Sequence, residues 1–141
     1  MHFVSGGAFQ GKRKWVNAHY SFTHTSYSWY CAYENMFPLP HDETAAVVVL
    51  EGIEHWIREY FFPYTDDEKE AIRSYMCAWK QWEQAGERTV VWIGCDIGQG
   101  IVPIEAHERA WRDMVGWTYQ QLASICNRVD YVWCGINERI K

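Results

Sequence analysis

The run Ala45-Ala46-Val47-Val48-Val49-Leu50-Glu51 is apolar and largely β-branched until its closing acid. A strand with no polar face cannot lie against water, so this segment calls for a parallel sheet covered on both sides. Thr89 to Cys95 (TVVWIGC) repeats the pattern and runs into Asp96. Between them, residues 52–62 are predicted helical with Ile53, Trp56, Ile57 and Tyr60 on one face. Thr65-Asp66-Asp67-Glu68 is a capping box that opens a second helix, its apolar stripe at Ile72, Tyr75, Met76, Trp79 and Trp82 and its end at Gly86. Further strands are expected at residues 2–5, 26–33 and 129–135, with a polar, Pro-containing stretch at 34–44. A helix should start at Gly11, and the longest should cover 104–127 with Trp111, Met114, Val115, Thr118, Leu122 and Ile125 inward and Glu105 in its first turn. Strands alternating with helices, with no repeat and no low-complexity linker, predict a single α/β domain over residues 1–141 with a mostly parallel sheet flanked by helices.

In open α/β sheets the ligand lies beyond the carboxyl ends of the strands. At the end of the first strand stands Gly6-Gly7-Ala8-Phe9-Gln10-Gly11-Lys12-Arg13, with Gly, four residues, then Gly-Lys. That is the spacing of a phosphate-cradling P-loop. Its glycines let backbone N–H groups face the phosphates, Lys12 would neutralise the terminal ones, and the residue after the Lys is ordinarily a Ser or Thr that holds Mg²⁺. Here that residue is Arg13. Glu51 and Asp96, each at a strand end, are the candidate acids for reaching Mg²⁺ or orienting a nucleophile; Glu51 as a cap for the following helix is the competing reading.

The 13 basic and 18 acidic residues, net −5, supply no basic footprint for nucleic acid or an anionic membrane. No apolar run approaches the roughly 20 residues of a membrane span, and the chain enters strand-like sequence at once, so neither anchor nor signal peptide is expected and the cytoplasm is the expected compartment. Cys31, Cys77, Cys95, Cys126 and Cys134 are odd in number and lack any C-x-x-C, which speaks for reduced, mostly buried thiols rather than a disulfide framework or zinc site. Part of the aromatic surface of 9 Trp and 9 Tyr is expected at a subunit interface.

Several blocks share one resemblance. Asp96-Ile97-Gly98-Gln99-Gly100-Ile101-Val102-Pro103, Trp111-Arg112-Asp113, Gly116, Gln120, Leu122-Ala123 and the terminal Gly135 to Lys141 resemble, in order and spacing, the bifunctional adenosylcobinamide kinase / adenosylcobinamide-phosphate guanylyltransferase family of cobalamin biosynthesis. Gly6 to Lys12 looks like that family's G-G-A-R-S-G-K, and Leu50 to Ile57 like its V-D-C-L-T-L-W-L, which puts Glu51 at the place of the Walker-B-like acid. The resemblance implies a P-loop NTPase-like three-layer fold, GTP or ATP as nucleotide with Mg²⁺, a corrinoid small molecule as second substrate, and a homo-oligomer, trimeric in the family.

The departures are specific. Arg13 replaces the loop hydroxyl, Phe9 and Gln10 replace Arg and Ser, Cys95-Asp96 stands for Asn-Glu, Glu54, Arg58 and Glu59 replace small or amide-bearing residues, and Tyr119 replaces an Asn. Only residues 33–46 separate the second strand from the third, where the family has a helix and the R-I-x-x-H stretch whose His receives GMP. His19, His24 and His41 lack that context. Two readings stay open: a nucleotide-binding, kinase-like protein without guanylyl transfer, carried by Lys12, Glu51 and Asp96, and a non-catalytic nucleotide-binding or assembly protein on the same fold.

Overall fold

The computed structural model describes residues 1–23, 25–34 and 37–141. The chain runs β1 (His2–Gly6), α1 (Lys12–Tyr20), β2 (Tyr27–Cys31), β3 (Val47–Glu51), α2 (Ile53–Tyr60), α3 (Asp66–Gln84), β4 (Thr89–Cys95), α4 (Ala106–Ile125), β5 (Arg128–Trp133) and β6 (Ile136–Arg139), with a 3-10 turn at Pro40–Asp42. The strands make one sheet in the order β2-β3-β4-β1-β5-β6. β1 to β5 are parallel and β6 is antiparallel to β5, so the α/β class and the mostly parallel sheet expected from the sequence are what the chain adopts.

The apolar runs bury both faces of the sheet. Val48, Leu50, Val90 and Trp92 point to one side, into a core shared with α2, α3 and α4. Val47, Val49, Val91 and Ile93 point to the other, with Val4 and Val132, beneath Val16 of α1. Those alternating positions of β3 and β4 make three layers of the fold. The larger core is aromatic: Trp79 is fully buried and meets Tyr75 and Trp82 edge-on. The capping box predicted for α3 is formed, Thr65 N–H donating to Glu68 at 2.8 Å.

β3 begins at Val47, two residues later than predicted, because Glu43 is buried and accepts the N–H groups of Thr44 and Ala45, both at 2.7 Å. Its carboxylate also takes the hydroxyls of Ser28 at 3.1 Å and Tyr30 at 2.8 Å. Burial alone would push its pKa up; these donors outweigh that and hold it below the ordinary value. Among the described residues, the β2–β3 connection contains no helix beyond the 3-10 turn. It is pinned through Phe37, stacked 4.2 Å from Tyr75, and the Tyr75 hydroxyl donating to Pro38 O.

Three expectations are corrected. β6 was not predicted; it follows a two-residue turn with both φ values positive, Cys134 at 50° and Gly135 at 79°, a hairpin geometry usually announced by Asn-Gly rather than Cys-Gly. Cys77 and Cys134 are exposed, leaving only Cys31 and Cys126 fully buried. Tyr60 closes α2 where the helix leaves the core and is exposed.

A polar chain crosses the start of β1. The Tyr20 hydroxyl lies 2.7 Å from His2 Nδ1, and His2 Nε2 lies 2.8 Å from Asp130 Oδ2. Asn137 and Arg128 donate to Asp130 as well. Burial lowers the His2 pKa from 6.5 to about 4, against the pull of Asp130. Between those two values the unfolded chain takes up a proton that the folded one refuses. Stability is therefore full above pH 6.5 and is lost as pH falls toward 4, by about 2–3 kcal/mol from this group. Denaturant melts over that pH range should show the slope, and His2→Asn should flatten it.

Candidate functional site

Because five strands are parallel, their carboxyl ends meet along one edge: Gly6 pairs in register with Cys95, Glu51 with Ile93, and Cys31 with Glu51. The loop from Gly7 to Gly11 leaves this edge and opens α1. Gly6 has no room for a side chain, since a Cβ there would lie 2.2 Å from Val132 O. Gly11 is the N-cap residue with φ 92°, in the left-handed region that glycine adopts freely. It carries no side-chain cap, so the first N–H groups of the nine-residue α1 face the loop without a protein acceptor from a cap. Phe9 at the tip has φ 57° and is fully exposed.

The Lys12 ammonium folds across the cradle and donates to Gly6 O at 3.0 Å and Gly7 O at 2.7 Å. Gln10 bonds to a different segment. Its backbone oxygen accepts Gly135 N–H at 2.8 Å and its Oε1 accepts Cys134 N–H at 2.7 Å, which stitches the loop to the β5–β6 turn.

Arg13 points along the strand ends to β3. One oxygen of Glu51, Oε2, accepts Arg13 Nε at 2.8 Å and Trp29 Nε1 at 2.8 Å, and lies 2.6 Å from Arg13 Nη2. The guanidinium sits 5.5 Å from the Trp29 ring centroid, and its hydrogen bond to the Glu51 carboxylate raises its pKa further. A Mg²⁺ ion shared between a loop hydroxyl and this acid would need both groups; the hydroxyl is absent and Oε2 has three N–H neighbours, so the residues present do not fit that arrangement. Asp96, whose N–H donates to Gly6 O at 2.9 Å, uses its carboxylate on its own loop: Oδ1 accepts Gly98 N–H at 3.1 Å and Oδ2 accepts Gln99 Nε2 at 2.9 Å. Glu51 and Asp96 thus stand at the ends of the adjacent strands β3 and β4, and Lys12 at the start of α1, each already engaged.

Behind the loop lies a cluster that sequence reasoning did not single out as a unit. Glu54, in the first turn of α2, is buried and accepts the Tyr33 hydroxyl at 2.8 Å and Cys95 N–H at 2.9 Å. The Tyr119 hydroxyl lies 3.0 Å from Glu54 Oε2 and 2.9 Å from Cys95 O. Burial, then the Glu54 charge, pushes the Tyr119 pKa well up and keeps the phenol protonated as a donor. Gly94 lets that ring in, for a Cβ there would stand 2.3 Å from the Tyr119 oxygen. The signal available in the sequence was that Glu54 and Tyr119 both depart from the family pattern. Of the histidines weighed from the sequence, His41 is exposed beside Asp42, His19 stacks on Trp15 at the far end of α1, and His24 lies outside the described residues; His55, next to Glu54, stacks on Tyr33 at 5.0 Å.

A family model described as cobinamide kinase / cobinamide phosphate guanyltransferase matches residues 10–140. The chain belongs to this family. No curated protein matches it. The match takes in Gln10 to Arg13, Glu51, Asp96 and the Glu54–Tyr119 cluster, and begins after Gly6 to Phe9. For this family member no helix among the described residues is long and apolar enough to cross a membrane.

Gly6→Ala is expected to destabilise the protein by about 2 kcal/mol or more, because the new Cβ meets the Val132 backbone of β5. Gly7→Ala, whose Cβ would meet only Gln10 Cγ at 3.3 Å, should cost under about 1 kcal/mol. Thermal melts of the two variants check the contrast.

Proposed function

We propose that the protein binds a nucleoside triphosphate, GTP or ATP, in the loop Gly6 to Arg13 and uses it for kinase-type phosphoryl transfer to the corrinoid substrate of its family, without guanylyl transfer. The observation that carries this reading is the Lys12 ammonium resting on the Gly6 and Gly7 carbonyls at the mouth of the loop, beside the uncapped start of α1. Phosphoryl transfer is chiefly positioning and charge neutralisation, so a cradle with a fixed cation is the part a kinase requires most. Lys12 would exchange those carbonyls for phosphate oxygens, and the N–H groups of Gly7 to Arg13 would line the phosphates. Asp96 is the acid nearest the loop by connectivity, bonded through its N–H to Gly6.

Loss of the guanylyl half-reaction rests on the short β2–β3 connection, in which no motif resembles the family's GMP-accepting histidine stretch. Non-catalytic nucleotide binding is the second reading. Its support is that Glu51 and Asp96 both spend their carboxylates on protein donors. A homo-oligomer is proposed from the exposed Ile101, Val102 and Ile104 in the loop before α4 and Trp133, Ile136 and Ile140 near the sheet edge; sedimentation velocity checks it.

Calorimetric titration with GTP and ATP tests nucleotide binding. Lys12→Ala should weaken it about tenfold or more; affinity unchanged in that variant, or no binding by the wild type, overturns the proposal. Turnover of adenosylcobinamide with bound nucleotide separates the kinase reading from the non-catalytic one.

A further inference from the structure

The ion pair between Arg13 and Glu51 occupies the meeting point of the loop and the neighbouring acid. In P-loop proteins a Mg²⁺ ion held there by a hydroxyl and an acid offsets the phosphate charge. Here Arg13 stands one residue past Lys12, and its guanidinium lies 2.6 and 2.8 Å from Glu51 Oε2. Trp29 donates to the same oxygen and backs the guanidinium with its ring. A cation approaching Glu51 Oε2 would have to displace its indole and guanidinium partners, and one approaching either oxygen would sit beside a permanent positive charge.

We propose that Arg13 is the resident cation of this site and that nucleotide phosphates bind here without Mg²⁺. This deepens the nucleotide-binding reading above and rests on it. The geometry favours Arg13 for the role. Glu51 engages Nε and Nη2, and among the described residues Nη1 makes no hydrogen bond. A guanidinium carries five N–H donors in a rigid fork, so the outward ones remain for phosphate oxygens. The Arg13 side chain is half exposed while Glu51 is largely covered, which places the free donors toward solvent. Glu51 and Trp29 hold the fork in place before any ligand arrives, so little ordering is left for binding to supply. Glu51 thereby acts as a positioning residue for Arg13 rather than as a metal ligand.

The test is a calorimetric titration of the wild type with GTP and with ATP, once in EDTA and once in excess MgCl₂ at matched ionic strength. Equal affinity within about threefold, or weaker binding in Mg²⁺, is expected. Binding that strengthens about tenfold or more with Mg²⁺ overturns the inference while leaving the nucleotide reading intact. No binding in either buffer overturns the nucleotide reading and this inference with it. Arg13→Thr restores a loop hydroxyl and frees Glu51, and it should turn binding Mg²⁺-dependent, with affinity in EDTA falling about tenfold and recovering in Mg²⁺. A readout that needs no variant is the electron paramagnetic resonance signal of free Mn²⁺ in the presence of GTP. Wild type should remove no more Mn²⁺ than GTP alone does, and stoichiometric extra uptake overturns the proposal.

Discussion

β1 can turn into the loop only because Gly6 has no side chain. The strand is wedged between β4 and β5, and a single Cβ would enter the Val132 carbonyl. Everything at the carboxyl edge follows from that close approach. Gly6 O is left to accept Asp96 N–H and the Lys12 ammonium, the loop folds down onto the β5–β6 turn, and α1 starts where Arg13 can reach across β1 and β4 to β3. The site is a property of how tightly the central strands are spaced, and its charges are arranged on that frame.

Among the described residues three carboxylates are buried, Glu43, Glu54 and Asp130, and each is surrounded by donors rather than by a lone counter-charge. An unpaired buried charge would cost several kcal/mol. Supplied with hydroxyls and backbone N–H groups at Glu43 and Glu54, and with a guanidinium, an imidazole and an amide at Asp130, each instead fixes where an element begins. Glu43 sets the first residue of β3, Glu54 ties α2 to the end of β4, and Asp130 joins β1, β5 and β6 through His2 and Asn137. The apolar core supplies the driving force for burial, while these groups choose one register among those the apolar runs would tolerate.

What was legible in the sequence was local or periodic. The β-branched runs named β3 and β4, the Thr65–Glu68 box named the start of α3, and the Gly6–Lys12 spacing named the loop, because each signal lies within a few residues. What was not legible depends on residues far apart in the chain. Trp29 as a donor to Glu51, Gln10 as the stitch to Cys134 and Gly135, and the Tyr20–His2–Asp130 chain exist only once separate elements are packed together, from 18 to 128 residues apart in the chain. Two of the departures from the family pattern prove to be in contact. Glu54 meets Tyr119, two changes that look independent along the chain and touch in space, while Arg13 pairs with the retained acid Glu51.

The stitch made by Gln10 spans 124 residues. During synthesis the glycine loop leaves the ribosome well before the turn that holds it open, and β1 itself waits for β4 and β5. The loop therefore acquires its shape as a finishing event. A nascent chain carries the complete loop sequence long before it has the strands and the turn that give the loop its shape.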